Sequence, residues 1–340
     1  MNRTTEPMPC SVHIVIVNWN TGAHLRSCLA SIAASELQEC AVTQVTVIDN
    51  ASSDGSADGL DELALPLEVV RNRDNLGFAA ACNQGAAVSV ADYILFLNPD
   101  TRLSPDALAT VVGFMESDAA ARIGICGVRM VDGGGNPGIS CERFPTLRVL
   151  FGKMTGLSLL LPHVFPSHHL RPDETERSRT VDQIIGAFYF VRSELYTELG
   201  GFDERYFIYY EDVDFAWRAL ELGARSYFLS EAEVFHAGNV SSDQVRGPRL
   251  YHSLRSRLLF AYVHWPRRQA DVLVVLTFTI ELAARLARAA QRRSRSDLSA
   301  TGTAYSRLLG DLRGIRSTSR DRRSVRSATA WTNTDHRRVS

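Results

Sequence analysis

Three times within its first hundred residues the chain runs through an apolar, β-branched stretch and ends it on asparagine or aspartate. The runs are VHIVIVNWN (Val12 to Asn20), QVTVIDN (Gln44 to Asn50) and DYILFLNPD (Asp92 to Asp100). Near-continuous apolar runs of this length fit strands buried on both faces of a parallel sheet. In open sheets of that kind, ligands sit beyond the carboxyl ends of the strands. Asn18, Trp19, Asn20, Asp49, Asn50, Asn98, Pro99 and Asp100 are therefore aimed at one region.

The intervening segments agree. TGAHLRSCLASI places Leu25, Cys28, Leu29 and Ile32 on one helical face. LEVVRN is a short strand, NLGFAAACNQGAAV reads as a loop entering an alanine-rich helix, and RIGICGVRMV is a further strand. SPDALATVVGFM opens like a helix, with Ser104 as cap and Pro105 in the first turn. The order β-α-β-β-α-β-α-β predicts an α/β fold with a mostly parallel, helix-covered sheet. From Asp132 to Thr180 the pattern breaks into glycine, proline, histidine and charge, with a short helix expected around Leu147 to Leu161. Regular patterning resumes with VDQIIGAFYFVRSELYTELGGFDE, the helical EDVDFAWRALELG and the strand ARSYFLS. Arg249 to Ala289 is largely helical, and the chain after Gln291 is expected to be largely disordered apart from a helix near Leu308.

Charge divides the chain unevenly. Residues 285–340 carry 14 basic and 4 acidic side chains, whereas the preceding 284 carry 23 and 34, so a net charge of -1 conceals an acidic body and a basic tail. The six cysteines show no CxxC pair, which disfavours a disulfide framework or a structural zinc site and predicts buried reduced thiols. No long apolar run precedes Cys10, so no secretory signal peptide is expected. The longest late apolar stretch, Val272 to Ile280, falls short of the ~20 residues a spanning helix needs. Neither GxGxxG after the first strand nor GxxxxGK[ST] occurs, which disfavours a classical dinucleotide fold and a P-loop ATPase.

Several residue types suit anion and metal chemistry. Asp49 can accept a hydrogen bond from a base or sugar, or merely cap a turn. Asp100, aimed by Pro99, can share a divalent cation with a diphosphate, since magnesium needs few protein ligands when phosphate oxygens complete its shell. His236 ends an apolar segment and reads as a structural residue or a ligand to metal or phosphate. Arg246, Arg249 and Arg255 could add phosphate contacts. Glu211, Asp212 and Asp214 open a helix, where acids complement the dipole and a cleft-facing carboxylate can serve as general base. Glu211 and Asp214 share a face and Asp212 points elsewhere, so one or two of them reach a substrate.

Together VIVNWN, DNASSDGS, NLGFAAACNQG, LFLNPD, GAFYFVRSELYTELGGFDERYFIYYEDVDFAWR and FHAGNVSS resemble the family 2 glycosyltransferases, in the family's order from Val12 to Ser242. They are similar to its rhamnosyltransferase branch, with Asn98-Pro99-Asp100 in place of the usual Asp-x-Asp. The resemblance implies a single nucleotide-sugar-binding domain of GT-A type over residues 10–245, a helical extension over 246–290 and a basic tail over 291–340. It places Asn18, Asn20, Asp49, Asp74, Asn75 and Asn98 at the donor nucleotide. Asp100 and His236 would hold Mg²⁺ or Mn²⁺. Asp212 would be the catalytic base, with Asp214 as second choice, and Gly186 and Ala187 would lie on the acceptor side.

The reaction implied is inverting transfer of L-rhamnose from dTDP-β-L-rhamnose to a polyprenyl-diphosphate-linked or glycan acceptor. A UDP-sugar transferase, galactofuranosyl or N-acetylglucosaminyl, is the alternative, and a non-catalytic precursor-binding scaffold is a more distant one. No nucleic-acid partner is expected, and a homodimer is left open. Val263, Trp265, Leu273, Leu276, Phe278, Ile280 and Leu282, followed by the arginines, suggest a cytoplasmic protein held peripherally on an anionic inner membrane face.

Overall fold

The computed structural model describes residues 10–37, 40–60, 62–170, 172–238 and 246–318. The three apolar runs become β1 (Cys10–Asn18), β2 (Cys40–Asp49) and β4 (Tyr93–Leu97), with β3 (Leu67–Arg71) on the outer edge. All three pairings among them, β2 with β3, β1 with β2 and β1 with β4, are parallel. Further on lie β5 (Thr101–Leu103), β6 (Ile123–Val131), β7 (Cys141–Glu142), β8 (Arg179–Val181), β9 (Gln183–Ile184), β10 (Phe188–Arg192) and β11 (Arg225–His236). Among the described residues nine strands form one sheet, in the order β3-β2-β1-β4-β10-β6-β11-β5 with β8 beside β11. β10 runs antiparallel to both β4 and β6, so the sheet is mixed.

Helices cover both faces, because strands apolar on both sides need cover on both. α1 (Ala23–Ala33) buries Leu25, Cys28, Leu29 and Ile32 as its periodicity requires. α2 (Phe78–Ala86) lays Ala79, Ala81 and Cys82 on the other face. α3 (Ala107–Met115) starts later than its sequence suggests. Asp106 is its N-terminal flank, and the Ser104 hydroxyl donates instead to the Glu233 carbonyl at 2.7 Å. α4 (Leu147–Thr155) and α5 (Leu157–Leu160) form the expected short helix, followed by α6 (Ser193–Glu198) and α7 (Glu211–Glu221). All six cysteines are free thiols, five of them buried.

The extension consists of α8 (Arg246–His264), α9 (Arg267–Leu276), a single π turn (Thr277–Glu281), α10 (Leu282–Gln291) and α11 (Arg295–Ser317). The stretch after 291 was expected to be largely disordered apart from a helix near Leu308; that helix is present and longer than expected, spanning residues 295–317. Ser294 caps α11 by accepting from the Asp297 amide at 3.1 Å, and Tyr305, Leu308 and Ile315 are buried in a core shared with Leu254, Leu258 and Leu273. The apolar residues are few but correctly spaced. The remainder of the tail and residues 239–242 of the FHAGNVSS segment lie outside the described residues. Among those described, no helix is long and apolar enough to cross a membrane.

Candidate active site

β1 and β2 end side by side, with Asn18 opposite Asp49. The Asn18 amide donates to Asp49 Oδ1 at 2.9 Å, Ser56 Oγ at 2.8 Å and Ser52 Oγ at 3.1 Å, while the Thr21 hydroxyl donates to Asn18 Oδ1. Asn20, with φ 50°, accepts from the Ser53 amide at 2.8 Å. These contacts brace the loop after β2. Asn18 and Asp49 are buried beneath it, and Asp74 is exposed on the surface, so none of the three reaches either of the cavities described next. Asp49 is charge-balanced from outside by Arg71, 3.9 Å away.

The first cavity, of about 480 Å³, opens at the ends of β1, β2 and β4. Trp19, Asn50, Asn75, Asn98, Asp100 and His236 line it, together with Arg249 and His252 from α8. Asn75 is set by Asn50, whose amide donates to Asn75 Oδ1 at 2.9 Å and whose own Oδ1 accepts from the Leu76 amide at 3.0 Å. Gly77 follows with φ +88°, and a Cβ there would lie 2.4 Å from the Phe207 carbonyl. Only glycine permits this approach.

At the floor of this cavity His236 Nε2 stands 3.4 Å from Asp100 Oδ1. Burial works to raise the Asp100 pKa, but the hydrogen bond and charge of His236 prevail and hold it below the usual range. Among the described residues no cluster of three histidine, cysteine or acidic side chains could hold a metal. One carboxylate and one imidazole nonetheless converge on the cavity. That donor set fits Mg²⁺ or Mn²⁺ when diphosphate oxygens complete the shell.

The second cavity, of about 590 Å³, shares Phe78, Asn98, Ile208, Tyr209, His236 and Arg249 with the first. Beyond this common wall lie Gly186, Ala187, Glu211 and Asp212 on one side and Lys153, Ser253, Arg257, Glu281, Arg285 and Arg288 on the other. The extension is thus a wall of the site rather than an appendage. Glu142 lines it too, accepting from the Gln183 amide at 3.0 Å and paired with His168 at 2.9 Å and His169 at 2.5 Å.

α7 arranges its three acids differently. Asp212 is half-buried and accepts from the Gly186 amide at 2.8 Å and the Val213 amide at 2.8 Å. Burial raises its pKa to about 6, against those two N–H donors and with help from Glu142. Glu211 is buried, its Oε2 has no partner among the described residues, and burial beside Asp212 drives its pKa well above the ordinary value. Asp214 is also buried, and its carboxylate is engaged by Arg218 Nε at 2.7 Å and His264 Nε2 at 2.7 Å. Burial would raise its pKa, but these two partners lower it. Asp214 lines neither cavity.

The turn leading into α7 is strained. Tyr209 and Tyr210 both take left-handed conformations, with φ 67° and 72°, which cost non-glycine residues energy and persist only under constraint. α8 supplies that constraint. Ser256 donates to the Ile208 carbonyl at 2.9 Å, Arg255 to the Arg205 carbonyl at 2.8 Å, and His252 stacks on Phe207 at 4.5 Å. Strand-end position had already aimed Asn50 at this region, whereas His252, Lys153 and Arg288 had no site role in the sequence reading and no local signal marks them.

The chain matches the family model described as Glycosyl transferase family 2 over residues 13–172, and that described as Glycosyl transferase family group 2 over residues 93–257. It is 28% identical over 242 residues to the N-acetylglucosaminyl-diphospho-decaprenol L-rhamnosyltransferase of Mycobacterium tuberculosis, covering 66% of this chain and 75% of that protein. It is 24% identical over 297 residues to galactofuranosyltransferase GlfT2 of the same species, covering 79% of this chain and 44% of that one. The fold is shared with a mannosyltransferase from Pyrobaculum calidifontis, solved in complex with GDP-Man and Mn²⁺. The TM-score is 0.51 at 17% identity, covering 91% of this chain and 79% of that one.

Proposed function

We propose that this chain, which belongs to the family 2 glycosyltransferases, holds its nucleotide-sugar donor in the Asn50–Asp100–His236 cavity and its acceptor in the cavity beyond Asp212. The observation that carries this reading is the common wall of Asn98, Tyr209 and His236, which lets two cavities meet beside one half-buried carboxylate. In the reaction Asp212 takes the proton of an acceptor hydroxyl as its oxygen attacks C1 of the donor sugar. The bond from C1 to the diphosphate oxygen breaks on the opposite face, the configuration inverts and the nucleoside diphosphate leaves. A carboxylate with a pKa of about 6 is ionised at neutral pH yet basic enough to accept that proton. The engagement of Asp214 by Arg218 and His264 supports Asp212 over Asp214 in this role. Mg²⁺ or Mn²⁺ held by Asp100 and His236 would neutralise charge on the leaving diphosphate.

Two donors follow from the relatives. dTDP-β-L-rhamnose rests on the rhamnosyltransferase at 28% identity, whereas a UDP-sugar draws on the galactofuranosyltransferase, whose match covers more of this chain. On the acceptor side, Lys153 and Arg288 suit a phosphate-bearing acceptor such as a polyprenyl-diphosphate-linked sugar better than a neutral glycan. A donor screen with a short polyprenyl-diphosphate-N-acetylglucosamine analogue tests both points. Turnover with UDP-sugars but none with dTDP-rhamnose assigns the UDP-sugar reading. Asp212→Asn is expected to lose at least ~100-fold in turnover while still binding donor; undiminished turnover by that variant would remove Asp212 as the base, and no turnover of the native chain with any donor would leave the scaffold reading.

A further inference from the structure

Five of the seven apolar residues of the extension that the sequence offers to a membrane are not available as a face, while Leu276 lines the groove described next. Leu273 and Val263 are buried, and Trp265, Phe278 and Leu282 pack on the core of the helical extension. A different apolar surface is exposed instead. Leu159, Leu160 and Leu161 stand at 86%, 76% and 49% exposure in the turn after α4, and Val272 and Val275 are exposed on α9.

A groove opens between α4 and α9, and α5, which carries Leu159 and Leu160, follows α4 directly. Leu147, Phe151 and Phe165 line one side, Val272 and Leu276 the other. The leucine turn is fixed against α4, since Phe165 packs on Phe151 with centroids 5.7 Å apart and Arg148 donates to the His163 carbonyl at 3.1 Å. Three consecutive leucines held in water by a defined turn carry a hydrophobic cost that a folded chain does not normally accept without a use. The flanks are cationic: Arg148, Arg267 and Arg268 are exposed, and no acidic side chain lines the groove.

We propose that this surface docks on an anionic lipid bilayer, with Leu159, Leu160 and Leu161 inserted among the acyl chains and the arginines on the headgroups. Apolar burial and attraction of basic residues to anionic lipid are the two terms that hold an interfacial segment. α4 carries both the groove, through Phe151, and the acceptor cavity, through Lys153 and Met154. The docked surface therefore brings the acceptor cavity close to the lipid. The inference stands whichever donor the enzyme uses.

The test is co-sedimentation of the full chain with phosphatidylcholine vesicles, with and without phosphatidylglycerol. The native chain is expected to sediment with the anionic vesicles, less so as salt is added. The double variant Leu159→Ser/Leu160→Ser is expected to lose at least about tenfold in vesicle affinity with an unchanged melting temperature and unchanged turnover of a soluble acceptor. Failure of the native chain to bind, or equal binding by the variant, overturns the proposal. So does a variant that changes only the oligomeric mass in analytical ultracentrifugation, because the surface then joins two copies of the chain.

Discussion

If Asp212 is the base, activity must fail on the acid side at its own pKa rather than at that of an ordinary aspartate. Burial places that pKa at about 6, with the Gly186 and Val213 amides restraining a larger rise. A base works only when ionised, so its contribution is present above the pKa and lost as pH falls through it. The active fraction should be about nine-tenths at pH 7, half at pH 6 and a tenth at pH 5. The assay is release of nucleoside diphosphate, with kcat/KM for the donor followed from pH 4.5 to 8, because that ratio reports the free enzyme. Glu211→Gln supplies the control. Burial beside Asp212 pushes the Glu211 pKa well above its ordinary value and so favours its neutral form, and a neutral isostere should leave the limb where it is. A limb near pH 4 in the native enzyme would refute the assignment. A leftward shift of about a unit in Glu211→Gln would show that Glu211 carries charge and that the two carboxyls have been read in the wrong order.

Two further outcomes follow from packing. Asp214→Asn removes the buried partner of Arg218 and His264, and should cost ~3–5 kcal/mol in denaturant unfolding. Because the native pKa of Asp214 lies below its ordinary value of 3.8, its contribution is present above about pH 4 and is lost as pH falls further, so native and variant stabilities should converge in acid. Gly77→Ala forces a Cβ to 2.4 Å from the Phe207 carbonyl at a positive φ, and is expected to destabilise the fold by more than ~2 kcal/mol in a thermal melt, whereas Gly135→Ala, also at positive φ but with open space around it, should cost less.

The strand ends were legible because a buried parallel strand advertises itself as an apolar run, and the residue that stops it faces the ligand side. That logic located Asn98 and Asp100, and the family resemblance pointed to Asn75 and His236. It could not tell which polar residues point outward. Asn18 and Asp49 terminate their strands, but Asn18 spends its amide on Asp49 and on Ser52 and Ser56 of the loop above, and Asp49 is occupied by Asn18 and Arg71. NLGFAAACNQG divides its work: Asn75 lines the first cavity, while Asn83 ties the segment to GGFDE by donating to the Phe202 carbonyl at 2.8 Å. The acceptor wall was invisible for a different reason. Lys153, Arg257 and Arg288 come from helices far apart in sequence, and amphipathic periodicity shows that a face is polar without showing what it faces. The helix at 295–317 was understated because its apolar contacts are sparse and made with α8.

The grip of α8 on the turn before α7 has a consequence for the order in which the molecule matures. A ribosome releases the sheet and α7 before residues 246–317 have emerged, so at that stage the turn carrying the two left-handed tyrosines lacks the contacts that α8 makes with it. The nascent chain has its sheet in place but neither of its finished cavities, since Arg249 lines both and Arg285 and Arg288 arrive later still. Both cavities are therefore complete only once the helices of residues 246–317 have docked on the sheet.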